Sequence, residues 1–258
     1  MASDLYILND ETPSDELFPK DKARGLDMSA RPRGYAYGDT AEPFPKELLI
    51  PRHEWQARIK EREEKKARMM DLCDLEGLKV KDQGQTNYCW INAPTHCVEI
   101  VRMLQGQGAV SLSPASAGSQ ITGYRNVGGW GKTGLEWIIK KGLVPTKYWP
   151  DTAIDRRYAT PENLAMALKF RGIEWIELEP RNIDQHVSCL LRGIPVAVGL
   201  NYWGHEVTDT DPFWIDNDIA IGYDNSWGTR YGKNGRGVRQ GQRMYADDAV
   251  GLRTVYAS

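Results

Sequence analysis

A chain of 258 residues, 26% charged and 41% hydrophobic with a formal net charge of −2, can bury one sizeable core or two lobes sharing a cleft. The near-neutral balance gives no support to nucleic acid or an acidic membrane as a partner. The opening, MASDLYILNDETPSDE, has neither the basic nor the apolar region of a secretory signal, and the apolar run IPVAVGL at 194–200 is far too short to span a bilayer.

Residues 1–47 are proline-bearing and without periodicity, and are expected as an extended N-terminal arm. Residues 48–77 hold a lead-in and a charged helix, PRHEWQARIKEREEKKARMM (51–70). Pro51 suits its first turn, and Glu54–Arg58, Glu61–Lys65 and Glu64–Arg68 have the favourable acid-first i,i+4 order. Such a run is expected as a solvated face. From Val80 to Pro150 the pattern is helical, with one helix after Cys89 and another at GLEWIIKKG (134–142). From about 171 short β-like runs take over: IEWIEL, IPVAVGL, FWI and IAIGY. Helices first and strands later predict an α+β protein with segregated lobes, 78–160 helical and 161–258 β-rich.

The four cysteines, Cys73, Cys89, Cys97 and Cys189, show no CxxC pairing. A reduced, cytoplasmic compartment is the expectation, with no metal and no cofactor. A zinc site from Cys89, His96 and Cys97 lacks the paired short spacings of structural zinc. A free thiol near pKa ~8.5 is mostly inert at neutral pH unless a cation or helix N-terminus stabilises its thiolate. The chain offers four histidines as the activating cation, namely His53, His96, His186 and His205. His205 follows the apolar strand IPVAVGL, where a strand end can present a side chain to a cleft. Asn225, in IAIGYDNSWG, ends another strand, and an Asn oxygen can fix an imidazole tautomer. Singly, each has a plain structural reading: a core cysteine, a satisfied histidine, a turn asparagine. Only the joint occurrence of Gln83, Cys89, His205 and Asn225, in that order, points to chemistry.

VKDQGQTNYCW (80–90) resembles the active-site segment of papain-like cysteine peptidases. NSWGTRYGKNGRG (225–237) is similar to that family's Asn-Ser-Trp-Gly block, and the stretch 112–150, with Gly128–Gly129, to its middle segment. The resemblance covers Val80 to the C-terminus and implies a papain-like two-lobe fold and a cysteine endopeptidase acting on peptide or protein substrates. It implies Cys89 as nucleophile, His205 as base and then acid, and Asn225 as its orienter. Gln83 and the Cys89 N–H would form the oxyanion hole, Trp227 would shield the His–Asn bond, and Gly128 and Gly129 would pair with an extended peptide. Thr86 and Asn126 stand where the family pairs two cysteines, so no disulfide is expected. The bulk of Asn87 and Tyr88 is expected to narrow the wall beside the scissile bond, and Pro94 to delay the active-site helix. The design fits bacterial or phage-encoded members of the family. The alternative is a catalytically weak or inactive papain-fold structural or interaction protein, such as a virion component. The arm, 1–47, lacks the family's pro-segment helix pattern and is expected to dock an assembly partner rather than inhibit.

Overall fold

The computed structural model describes residues 5–29, 31 and 34–257. In chain order its first elements are β1 (Ile7–Leu8), α1 (Ser14–Leu17), β2 (Glu42–Pro43), α2 (Arg52–Glu64), α3 (Met69–Leu75) and α4 (Cys89–Leu104). Next come β3 (Leu112–Ser113), α5 (Pro114–Ile121), α6 (Gly131–Lys141), β4 (Val144–Pro145) and α7 (Pro161–Ala167). The last are β5 (Gly172–Glu177), α8 (Ile183–Leu191), β6 (Val196–Leu200), β7 (His205–Ile215), β8 (Asp218–Asp224), β9 (Arg236–Arg239) and β10 (Asp248–Val255). The architecture is α+β, with a helical lobe built on α4, α5 and α6 and a sheet lobe behind it.

Eight strands form one sheet in the order β1-β9-β8-β7-β6-β10-β5-β2. β6 through β9 are antiparallel neighbours in sequence, while β1 and β2 add in parallel at the two ends. Both of those end strands come from the N-terminal 47 residues, so that segment closes the sheet on either side. Its Leu8, Leu17, Tyr37 and Phe44 are buried.

The charged segment 51–70 is not one helix. It ends at Glu64, Lys66 takes the left-handed conformation at φ 50°, and α3 starts at Met69. The expected pairs Glu54–Arg58 (2.7 Å) and Glu61–Lys65 (2.5 Å) form. Arg68 lies beyond the break and instead binds Asp71 at 2.9 Å. Nor is the whole helix a solvated face: Trp55 and Ile59 are buried where α2 packs on α8 and β7.

Pro94 does not delay α4, which starts at Cys89 and runs unbroken through it. An interior proline costs roughly 3 kcal/mol, but every residue from Cys89 to Met103 is buried, and each large apolar side chain so placed returns about 1.5–3 kcal/mol. Thr95 Oγ1 donates to Ile91 O at 2.6 Å and Asn92 Nδ2 to Tyr88 O at 2.8 Å, adding hydrogen bonds to carbonyls of the first turn.

β7 is longer than the FWI run that signalled it. Its polar half, HEVTDTDP, is buried. Asp209 pairs with Arg239 and with His186, and Asp211 accepts the Met69 and Met70 N–H groups. Pro212 is tolerated in the strand because β6 has already ended opposite Asp209, leaving only β8 beside it.

Candidate active site

Cys89 is the first residue of α4, where the helix dipole favours negative charge. His205 opens β7 directly after the turn from β6, and Asn225 follows the last residue of β8. The β6–β7–β8 meander therefore sets the imidazole and the carboxamide side by side, and α4 packs across β7 to bring the thiol from the other lobe.

His205 Nε2 lies 2.8 Å from Asn225 Oδ1. The same oxygen accepts the Ser226 N–H at 2.7 Å, which fixes the orientation of the amide. Nε2 therefore carries the proton, and Nδ1 is left as a buried base with no hydrogen-bond partner. Trp227 stacks on the imidazole with ring centroids 4.5 Å apart and shields the His–Asn bond from water. Trp203 meets both rings edge-on, at 5.2 Å from His205 and 5.5 Å from Trp227. Gln83 is held by Ser226, whose Oγ donates to Gln83 Oε1 at 2.5 Å. Gln83, Cys89, His205, Asn225, Trp227, Gly128 and Gly129 thus share one cleft.

The cleft is filled by the chain's own residues 21–29. Ala23 O accepts from Gln83 Nε2 at 3.1 Å and from Trp227 Nε1 at 2.9 Å. The backbone amides of Glu206, Gly25 and Trp90 favour the Cys89 thiolate, but less than burial opposes it. Gly129 N–H donates to Gly25 O and Gly129 O accepts the Asp27 N–H, each at 2.9 Å, so Leu26 lies parallel to Gly129. A Cβ on Gly129 would come 2.6 Å from the Trp90 ring, and a Cβ on Gly25 would collide with the Asn87 carbonyl. Both glycines are needed for this close approach. The N-terminal arm, expected to dock an assembly partner rather than to inhibit, thus lies along the chain's own cleft at Ala23–Asp27. Composition signals an extended segment but not its destination.

Burial under this segment sets the electrostatics. Desolvation, with a smaller push from Glu206, raises the Cys89 thiol to about 12. Desolvation also lowers His205 to about 3, against the Asn225 hydrogen bond and with help from Arg24. Thiol and imidazole are both neutral in this state.

Tyr88 does not narrow the cleft. It is buried in the helical lobe, its hydroxyl 2.8 Å from Arg125 O and 2.9 Å from Thr122 Oγ1. Asn126 accepts the Asn87 N–H at 2.7 Å and donates to Gln85 O at 3.0 Å, tying the strip around Thr86 to the loop before Gly128 without a disulfide. All four cysteines are free. Among the described residues no group of three or more His, Cys, Asp or Glu is placed to hold a metal ion, and no helix is long and apolar enough to cross a membrane. His96 turns away from Cys89 and lies between Glu99 (2.7 Å) and Asp224 (2.9 Å). Two residues of the site escape the sequence reading. Ser226 is visible as the second residue of the Asn-Ser-Trp-Gly block, whereas Trp203, in a turn, carries no periodic signal.

The sequence matches no protein-family model and no curated protein. Its fold is similar to that of xylellain, a cysteine protease from Xylella fastidiosa, with a TM-score of 0.63 at 18% identity over 92% of this chain and 97% of that one. It is also similar to digestive procathepsin L 3 of the Tenebrio molitor larval midgut, with a TM-score of 0.61 at 16% identity over 95% and 80%. The ragweed pollen cysteine protease Amb a 11, in its proform, gives 0.57 at 16% identity over 69% and 63%. At such identities the likeness is one of fold, and the fold of this chain is that of the papain-like cysteine proteases.

Proposed function

We propose that the protein is a cysteine endopeptidase, folded in a latent state with residues 21–29 in its own cleft. The observation that carries this reading is the His205 Nε2–Asn225 Oδ1 bond of 2.8 Å, which leaves His205 Nδ1 as an unprotonated base beside the helix that begins at Cys89.

With a substrate in place of the arm, His205 Nδ1 takes the Cys89 proton and the thiolate sulfur attacks the scissile carbonyl carbon. Negative charge grows on the carbonyl oxygen, where Gln83 Nε2 and the Cys89 N–H donate, each such donor being worth about 2.7–4 kcal/mol. His205 then protonates the amide nitrogen as the C–N bond breaks, releasing the amine and leaving a thioester on Cys89. His205 next deprotonates a water that attacks the thioester, and the thiol leaves with that proton. The carbonyl of Ala23 already sits on Gln83 Nε2. The arm thus covers one of the donors the mechanism needs.

Gly25→Trp would expel the segment without touching the body. If the open form is about 1–10% populated, expulsion raises peptide hydrolysis roughly 10–100-fold. In that background Cys89→Ala, His205→Ala and the double variant should lose nearly the same activity, as residues acting as a unit do. Hydrolysis retained in Cys89→Ala would overturn the peptidase reading. The silent closed state is also what a papain-fold interaction module would present, and a Gly25→Trp chain that binds peptides without cutting them would favour that reading.

A further inference from the structure

Behind the point where the arm pairs with Gly129 lies a buried acidic pocket. Glu177, Glu206 and Asp248 come from three different strands, β5, β7 and β10, and all are 3% exposed or less. Asp248 Oδ2 accepts the Trp130 Nε1–H at 2.6 Å. The Glu206 carboxyl and the Tyr37 hydroxyl both face Gly131, within 3.2 Å of where its Cβ would stand. The Glu177 carboxylate accepts the Ala36 and Tyr37 N–H groups at 2.5 and 3.0 Å. Into this group the arm inserts Arg31, its side chain 8% exposed, with Nε 3.5 Å from Asp248 Oδ1 and Nη2 3.7 Å from Glu177 Oε1.

The pocket adjoins the line along which a bound peptide runs. Leu26, paired with Gly129, lays its Cδ2 3.3 Å from where a Gly199 Cβ would stand, and the Asp248 Cβ is 3.2 Å from the same point. Gly199 and Asp248 are register partners across β6 and β10. A side chain longer than leucine, leaving the peptide where Leu26 does, reaches toward Asp248. Once the arm withdraws Arg31, the carboxylates lose the cation now beside them. Buried carboxylates left so must protonate or find another cation. Burial already raises Asp248 and, further, Glu206.

We propose that this pocket is a recognition site for a cationic side chain, arginine or lysine, of the bound peptide, with Asp248 as its specificity determinant and Arg31 as the occupant in the latent chain. The proposal rests on the peptidase reading above and names its substrate class. A guanidinium there would meet Asp248 while its stem covers the apolar surface that Leu26 and Met28 cover now.

The test is a positional-scanning peptide set offered to the Gly25→Trp chain, compared at each position for Arg, Lys, Leu and Glu. One position should prefer Arg or Lys over Leu by roughly tenfold or more in kcat/KM, the worth of a hydrogen-bonded charge. Asp248→Asn should collapse that ratio. Glu206→Gln, which keeps the shape of the pocket, serves as a second variant should Asp248→Asn fail to fold. The same ratios in an Arg31→Ala chain remove dependence on the Gly25 substitution. Equal rates for Arg and Leu at every position, or a ratio untouched by both pocket variants, would overturn the proposal. If no peptide is cut, the peptidase reading falls while the pocket is still read by the rate at which peptidyl epoxides bearing Arg or Leu alkylate Cys89. An Arg-over-Leu labelling ratio lost in the pocket variants supports the pocket on its own, and equal labelling sinks it.

Discussion

Asn225 decides which imidazole nitrogen of His205 is left without a proton. Its Oδ1 is pinned by the Ser226 N–H, so it can only accept from His205 Nε2. Asn225→Ala in the Gly25→Trp background should lower kcat by about 10–10² fold, the low end of what a positioned acid–base contributes, and less than loss of Cys89 or His205. The thiol itself reports the state of the cleft. With the arm in place burial holds Cys89 up at about 12 and His205 down at about 3. Iodoacetamide should therefore alkylate Cys89 slowly at neutral pH in the full chain and much faster in Gly25→Trp, where water returns and thiolate can form beside an imidazolium. Equal rates in the two chains would contradict the burial argument. Cys89, His205, Asn225 and Gln83 can be singled out in the sequence because the blocks that hold them resemble those of the papain-like peptidases, and their residue types suit acid–base chemistry. The Arg31–Asp248 contact is not, because a lone arginine in a polar segment looks like any surface arginine until the fold places a buried carboxylate against it.

At the scale of elements, α4 and β8 are joined beneath the site by a buried charge chain. Lys81 Nζ binds Glu99 at 2.9 Å, and His96 bridges Glu99 and Asp224. Arg236 closes the chain on Asp224 at 3.0 Å. Burial opposes a charge on His96, but the hydrogen bonds to Asp224 and Glu99 outweigh it and hold the imidazolium up at about 9. Its stabilisation is thus fully present below its ordinary value of 6.5 and is lost as pH rises from there through about 9. Glu99 and Asp224 shift the other way: burial raises them, but Lys81 and His96 for Glu99, and His96 and Arg236 for Asp224, leave both below the usual carboxylate range. Their contribution goes as pH falls through those depressed values. His96→Ala, which takes one charged hydrogen bond from each of two buried carboxylates but leaves Glu99 on Lys81 and Asp224 on Arg236, should cost about 1.5–3 kcal/mol, read as a shift in denaturant midpoint that shrinks above pH ~9. Because Asp224 precedes Asn225, the alkaline loss should also reach activity. This chain is hidden in the sequence because its members are scattered, and the first half of β7 because it is a polar run that resembles a solvent-facing segment; in both, only partners distant in sequence make the burial tolerable. The helices α4 and α6 and the strands β5, β6 and β8 stand out in the sequence because apolar residues carry most of their burial, even where charged ones are buried among them.

On the scale of the whole molecule, residues 5–47 are part of the body as well as its plug. β1 and β2 complete the two edges of the sheet. Leu8, Leu17, Tyr37 and Phe44 enter the cores at 7% exposure or less, and Trp203 Nε1, whose ring supports the His205–Trp227 stack, donates to Leu17 O at 2.5 Å. Full burial of four such side chains is worth roughly 6–12 kcal/mol at about 1.5–3 kcal/mol each, which rivals the roughly 5–15 kcal/mol of net stability of a typical domain. Residues 1–47, expected as an extended docking arm, thus hold strands and buried side chains that the body needs. Deletion should give a chain that aggregates or unfolds well below the melting temperature of the full protein. On the latent-peptidase proposal, activation frees 21–29 while the flanking anchors stay in place, so a single cut within that stretch should leave the melting temperature within a few degrees of the intact chain and raise peptide hydrolysis as Gly25→Trp does. A chain lacking 1–47 that melts like the full protein, or a nicked chain that melts far below it, would show that the anchors do not carry the stability assigned to them.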